Sequence, residues 1–327
     1  MKIGVIGFCE LDTLVYLKNA QFFGGGALST AIHAASYGIR VSFYTYCGTD
    51  FPTSILCNKL KSINHYLTIN NILKECSAVK MLIKKEDHNH MWSILTLGGW
   101  KNMRLMDFKN IDNRFCTSYM KLPYTAARKL STYVGRNIPF VAINPQGVYF
   151  FEQLKALEAN LLFFSEREIC NAAKKKLPTV LQVLPELKKN IVVTLGNCGT
   201  LFYSQQEKRY YYVPSIAVDV IDTLGCGDAF AGGVIAFQAK GKKVEDQLAA
   251  GILSATLNSQ TWGALPDPAL IIDYEDIVGD IVSHICVFDN VISLVKNFDT
   301  WCQGVPASSK LLKVLKSRNR DYWKYNL

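Results

Sequence analysis

The stretch of this chain best suited to chemistry is Val220-Ile221-Asp222-Thr223-Leu224-Gly225-Cys226-Gly227-Asp228-Ala229-Phe230-Ala231-Gly232-Gly233. An apolar approach meets two glycines around a cysteine, then an acid, then a helix-forming run. Small residues at Gly225, Cys226 and Gly227 let backbone N–H groups come close to an anion. The unpaired donors at the start of the following helix add partial positive charge. Such a turn is an anion hole for the charge that spreads over a phosphoryl group in transfer. Asp228, at the helix start, is positioned to accept the proton of an attacking hydroxyl. The same residues also fit an ordinary N-cap and turn, so the motif alone does not decide between the two. No GxxxxGK[ST] occurs, so this is not a Walker loop.

The elements that must position this turn follow from the patterning. Lys2–Phe8, Ile39–Tyr46, Phe140–Ile143, Leu161–Phe164 and Ile191–Leu195 read as short apolar strands. Helical patterns lie between them, as in Ala27–Tyr37, stopped by Gly38, and in the run carrying Ile55, Leu56 and Leu60. Gly227–Lys240 and Val244–Ser259 read as two further helices, and Thr200–Ser204 with Tyr210–Val213 as a hairpin. Alternation of this kind predicts an α/β fold with a mostly parallel sheet covered by helices on both faces. Residues 66–100 break the alternation with strand-like stretches such as Ala78–Ile83 and Met91–Leu97, read as a small inserted β-sheet. Residues 267–327 carry helical patterns around Ile277–Val282 and Leu311–Val314 and no chemical motif.

Composition narrows the function classes. Among 327 residues, 49% are hydrophobic and 19% charged, enough to bury a sizeable core and against general disorder. No apolar run approaches the roughly 20 residues of a membrane-spanning helix. The opening MKIGVIGF reads as a strand and not as a signal peptide. Ten cysteines without CxxC pairs or Cys/His clusters predict a reducing, cytoplasmic setting, with Cys9, Cys47 and Cys198 as small buried hydrophobes. The net charge of +9 is concentrated at Lys310, Lys313, Lys316, Arg318, Arg320 and Lys324, beside Tyr322, Trp323 and Tyr325. A solvated terminal helix explains that run better than a nucleic-acid contact.

The Asp222–Gly233 segment resembles the C-terminal signature of the ribokinase-like carbohydrate kinase (PfkB) family, DTxGAGDxFxGG, with Cys226 where alanine is usual. A second anchor lies upstream: Phe23-Gly24-Gly25-Gly26-Ala27-Leu28-Ser29-Thr30-Ala31, then Tyr37-Gly38 and Cys47-Gly48-Thr49-Asp50, is similar to the family's N-terminal signature. The resemblance covers about residues 1–266, with residues 100–135 matching only in outline. It implies a three-layer sandwich in which the inserted sheet acts as a lid, and residues 267–327 as an extension of separate role. Spacing around Ile6-Gly7, Asp12 and Trp262-Gly263-Ala264 looks closest to fructoselysine 6-kinase-like members.

The resemblance also implies roles. Asp228 becomes the base for transfer from ATP to a hydroxyl of a sugar-like substrate. Asp12, Gly24 and Gly25 fall on substrate-binding positions. Ser29 falls there too, in place of the usual asparagine. Glu168 matches the glutamate that helps to organise Mg2+ through water, while Ser165 replaces an asparagine. Thr194, Gly196 and Gly199 match the strand and turn beside the ATP phosphates, and Ala255 through Ala264 flanks the adenine. A monovalent cation is implied beside the Gly-rich turn, near Asp222, and pairing of two copies through the lid. Trp92 and Trp100 read as core or interface packing. Departures at Ser29, Ser165 and Cys226 keep two alternatives open: a ligand-binding or regulatory protein with little catalysis, and a nucleoside kinase of the same fold.

Overall fold

The computed structural model describes residues 1–14, 20–48, 55–56, 58–60, 66–74, 79–84, 91–97, 115–146, 148, 150–265, 274–297 and 304–316. Its strands in the first half are β1 (Lys2–Phe8), β2 (Glu10–Leu14), β3 (Ala20–Gly24), β4 (Arg40–Gly48), β5 (Leu67–Lys74), β6 (Val79–Lys84) and β7 (Met91–Leu97). The second half adds β8 (Thr117–Pro123), β9 (Phe140–Gln146), β10 (Leu161–Ser165), β11 (Asn190–Thr194), β12 (Thr200–Ser204) and β13 (Arg209–Val213). Three short strands follow, β14 (Ile216–Ala217), β15 (Cys286–Phe288) and β16 (Val305–Pro306).

Ten of these strands form one sheet in the order β15-β13-β12-β11-β10-β9-β8-β1-β4-β5. Every pairing from β5 across to β11 is parallel, and the last three are antiparallel. Strands β1, β10 and the middle of β11 are apolar at almost every position because both faces are covered. Alternate residues of β1 show the division: Ile3 and Val5 face one core, Ile6 and Phe8 the other. The first core is closed by helices Gly26–Ser36, Cys226–Ala239 and Val244–Asn258, the second by Tyr124–Val134 and Leu177–Val183. This is the α/β sandwich that the alternation predicted.

Four details differ from the sequence reading. Strand β8 lies inside the sheet, between β9 and β1, from residues where no strand was expected. The small sheet has the order β3-β2-β6-β7, so two of its four strands come from Glu10–Gly24 and only two from residues 66–100. β5, also within 66–100, instead pairs in parallel with β4 at the edge of the large sheet. The C-terminal extension is not purely helical, since β15 adds an edge strand against β13 and β16 pairs with β14. Local patterning identifies a strand but not its neighbour, and pairing partners far apart in sequence decide these cases.

Candidate active site

The turn before helix Cys226–Ala239 is built around a glycine that nothing else could replace. Gly225 has φ 79°, and a Cβ there would stand 2.5 Å from the carbonyl oxygen of Ala264. Asp222, fully buried, latches the turn: its Oδ1 accepts the Leu224 amide at 3.1 Å and its Oδ2 the Gly263 amide at 3.1 Å. Its own amide, with that of Ile221, donates to the Ser259 carbonyl. Asn258 adds a third tie, donating to the Leu224 carbonyl at 2.7 Å. The amides of Cys226 and Asp228 turn back to Thr223 (3.3 Å) and Gly225 (3.0 Å). Beside Gly227 the space is open where a Cβ would stand.

The second Gly-rich turn meets this one. Gly25, at φ 109°, caps helix Gly26–Ser36, and a Cβ on it would lie 2.8 Å from the Cα of Cys9. The glycines on either side each make room for a carboxylate. A Cβ at Gly24 would come within 2.8 Å of Asp12 Cγ, and one at Gly26 within 2.7 Å of Asp228 Cγ. Asp12 and Asp228, 216 positions apart, therefore flank one three-glycine turn. Thr30 fixes the two helices to each other, its Oγ1 2.9 Å from the Asp228 carbonyl and 3.1 Å from that of Gly26.

Asp228 is ion-paired: the Nζ of Lys121 on β8 donates to its Oδ1. Burial disfavours the ammonium, but Asp228, with Glu168 and Glu10 further off, outweighs it and holds the Lys121 pKa above the usual lysine value. Burial and then the negative charge of Asp228 push the nearby Tyr119 phenol well up. Burial, with only partial relief from the Asn258 amide, pushes the Cys226 thiol up to about 12.

The expected residues fall into three groups. Asp12, Gly24, Gly25, Gly225, Cys226, Gly227 and Asp228 come together as described. Asp12 does so from strand β2. Ser29 lies fully buried in the first turn of its helix, its Oγ without a hydrogen-bonding partner among the described residues. Glu168 and Thr194 lie across the carboxyl ends of β10 and β11, where Ser165 and Thr194 are register partners. Glu168 closes a capping box: its Oε2 accepts the Ser165 amide at 2.7 Å and the Ser165 hydroxyl at 2.8 Å. Gly196 and Gly199 bound a short 3-10 turn after β11, with Gly199 at φ 91° against Pro214. Thr49 and Asp50 of the upstream signature, and Trp100, lie outside the described residues, as do the side chains of Cys47 and Trp92.

Three neighbours escaped the sequence reading. Lys121 belongs to an unrecognised strand, although a lone lysine among Tyr119, Met120 and Leu122 was a usable signal. Asn144, its register partner on β9, is buried with Oδ1 unpartnered among the described residues. Gly26, quoted in the upstream signature, was given no role beside Gly24 and Gly25. One thiol also departs from expectation: Cys198, read as a buried hydrophobe, is half-buried in the 3-10 turn and disulfide-bonded, a pairing that no CxxC spacing announces.

A cavity of about 680 Å³ lies beyond the Gly225 turn. Val218, Val220, Ile221 and Gln260 line one side, and Leu312, Leu315 and Lys316 of helix Ser309–Lys316 the other. Among the described residues no helix is long and apolar enough to cross a membrane, and no group of three or more His, Cys, Asp or Glu could hold a metal ion.

Comparison with known proteins agrees with this architecture. The chain is 25% identical over 279 residues to a cytidine kinase of Thermococcus kodakarensis, covering 80% of this chain and 98% of that one. Its fold matches the nucleoside kinase of Methanocaldococcus jannaschii, an archaeal member of the ribokinase family, with TM-score 0.66 at 19% identity, over 86% and 98% of the two chains. It likewise matches aminoimidazole riboside kinase from Salmonella enterica, solved with aminoimidazole riboside and an ATP analog, with TM-score 0.67 at 16% identity, over 86% and 100%. The model of the pfkB family carbohydrate kinases matches residues 6–269, and the chain belongs to that family.

Proposed function

We propose that this kinase moves the γ-phosphoryl group of ATP onto a hydroxyl of a sugar or sugar-like small molecule, with Asp228 as the base. The observation that carries this reading is the shared three-glycine turn, which has Asp12 at one end and Asp228 at the other. A hydroxylated substrate lying along that turn would have one carboxylate to bind it and a second to take its proton. Asp228 is the third residue of the helix that opens at Cys226, directly after the latched Gly225, so base and anion hole are parts of one element. In that hole the Gly227 amide is the favoured donor, because those of Cys226 and Asp228 already face carbonyls.

The mechanism follows from positioning and charge. Asp12 and the backbone of Gly24 and Gly25 hold the acceptor, with Ser29 supporting from beneath. Asp228 takes the hydroxyl proton as its oxygen attacks in line. Backbone donors around Gly225–Gly227 hold the transferring group. ATP reaches them past Thr194, Gly196 and Gly199. Mg2+ would neutralise phosphate charge; without a cluster of carboxylates among the described residues, phosphate oxygens and water would be its main ligands, with Glu168 behind the water. Asp222 is already engaged with two amides, so no step is assigned to a monovalent cation. The cavity beside Ile221 and Gln260 would receive the nucleotide base, which gives the C-terminal extension a role as its outer wall. The small sheet would close over the acceptor and exclude water, and two copies would pair through it.

Nucleoside acceptors form a second reading, favoured by the cytidine kinase relative that spans four-fifths of this chain. ADP release should be measured against a panel of sugars, amino-sugar adducts and nucleosides, with the phosphorylated product identified by mass. Turnover with a sugar supports the first reading and turnover with a nucleoside alone the second. Binding of ATP with no product from any acceptor would overturn both in favour of a regulatory protein.

A further inference from the structure

Lys121 is a charged side chain for which the mechanism above has no use. It comes from the middle of the large sheet and ends on the residue proposed as the base. Both sides of the pair are shaped for it. Gly26 must lack a Cβ, because one would meet Lys121 Nζ and also stand 2.5 Å from Asp228 Oδ2. Thr30 pins the backbone of Asp228 to the same helix that carries Gly26. The charged groups around the ammonium are Asp228, Glu168 and Glu10, all acidic.

The position of the pair raises an electrostatic problem. An ionised carboxylate lies one residue from the turn that is to receive a γ-phosphoryl group, and the two negative charges repel. Water cannot screen them well, since Asp228 is only 9% exposed. Lys121 resolves the conflict by supplying one positive charge on Oδ1, while Oδ2 stays toward Gly26 and the substrate turn.

We propose that Lys121 is a positioning and charge-shielding residue, acting through Asp228. It holds Oδ1 so that Oδ2 meets the acceptor hydroxyl, and it cancels the carboxylate's charge beside the anion turn so that a triphosphate is admitted. The inference rests on the kinase reading. Its ligand consequence is specific: the shield matters for ATP, whose third phosphate approaches Asp228, and much less for ADP.

Calorimetric titration of the full chain with Mg–ATP and Mg–ADP tests this without needing the acceptor. Lys121→Met should weaken ATP binding by roughly tenfold while ADP binding changes less than about twofold, because only the third phosphate then faces an uncompensated charge. Lys121→Arg, which keeps the charge, should bind ATP nearly as wild type does. The double variant Lys121→Met with Asp228→Asn removes both charges and should recover most of the lost ATP affinity, a coupling that a packing role would not produce. An ATP-to-ADP affinity ratio unchanged in Lys121→Met, or an ATP loss that persists in the double variant, overturns the shield. Equal loss of both nucleotides marks a structural role and overturns it too. If Lys121→Met does not fold, the double variant alone decides: its ATP-to-ADP ratio should match that of wild type, and a lower one counts against the proposal. Wild-type protein that binds neither nucleotide would overturn the kinase reading itself, a result distinct from all of these.

Discussion

The carboxylate of Asp222 accepts the backbone amide of Gly263 at 3.1 Å, across 41 positions of sequence, and so joins the Gly225 turn to the segment after helix Val244–Asn258. The other oxygen holds Leu224 at 3.1 Å. A buried acid in this role serves the shape of the turn, and through it the direction of the amides proposed to face a phosphate. Asp222→Ala leaves two buried amides without acceptors and should cost about 3 kcal/mol in urea unfolding, since hydrogen bonds to charged groups are the strong ones. Asp222→Asn keeps one acceptor oxygen and should cost about half as much.

Gly225 tests the turn from the other side. Its φ of 79° disfavours any side chain, and Ala264 leaves a Cβ no room. Gly225→Ala should lose at least about 2 kcal/mol of stability, the scale of a strained left-handed residue plus a contact with backbone. Gly227→Ala is the contrast. Open space surrounds that position, so stability should change by less than about 1 kcal/mol, while a methyl group in the proposed phosphate path should weaken ATP binding.

The thiol of Cys226 should be inert. With its pKa pushed up to about 12 by burial, it stays protonated through neutral and mildly alkaline pH, and only a thiolate attacks an alkylating reagent. Raising the pH from 7 to 9 should therefore leave Cys226 unmodified, while Cys286, which is exposed, reacts faster. Peptide mass mapping after iodoacetamide treatment reads both sites. Fast labelling of Cys226 at pH 7 would show that the turn is open.

The C-terminal wall is checked by charge. Leu315 lines the cavity beyond the turn, and Leu315→Asp should raise the KM for ATP about tenfold if a nucleotide base packs there, the scale of losing a buried apolar contact. The KM for the acceptor, proposed to bind at the other end of the site, should move less than about twofold. Equal effects on both would show that the helix Ser309–Lys316 has only a structural part.

What the sequence made legible was local. The Asp222–Gly233 turn could be read because its glycines, acid and helix are contiguous and each residue type has one backbone use. Gly24 and Gly25 could be read for the same reason. What brings the two turns together was not legible: Thr30 on the Asp228 carbonyl, Gly26 against its carboxylate and Lys121 on its Oδ1 join residues 107 to 202 positions apart. Strand β8 was hidden because Thr117, Ser118 and Lys121 interrupt its apolar residues, and the periodicity places that lysine on the same face as Tyr119 and Thr117 only once the strand is known. Nothing in the sequence marked Asp12 as a strand residue, because Glu10–Leu14 is short and half polar. Pairing with β3 and β6, and not its own propensity, makes it a strand.

The account turns on Asp228, and the most direct measurement is the single-turnover rate of Asp228→Asn with ATP and whichever acceptor the wild type uses. The substitution keeps the size of the side chain and a carbonyl oxygen for Lys121 while removing the base. The rate should fall by about a thousandfold, within the range a positioned base contributes, with ATP and acceptor still bound and the fold intact by circular dichroism. A rate within about threefold of wild type would contradict the account and require another group to take the proton.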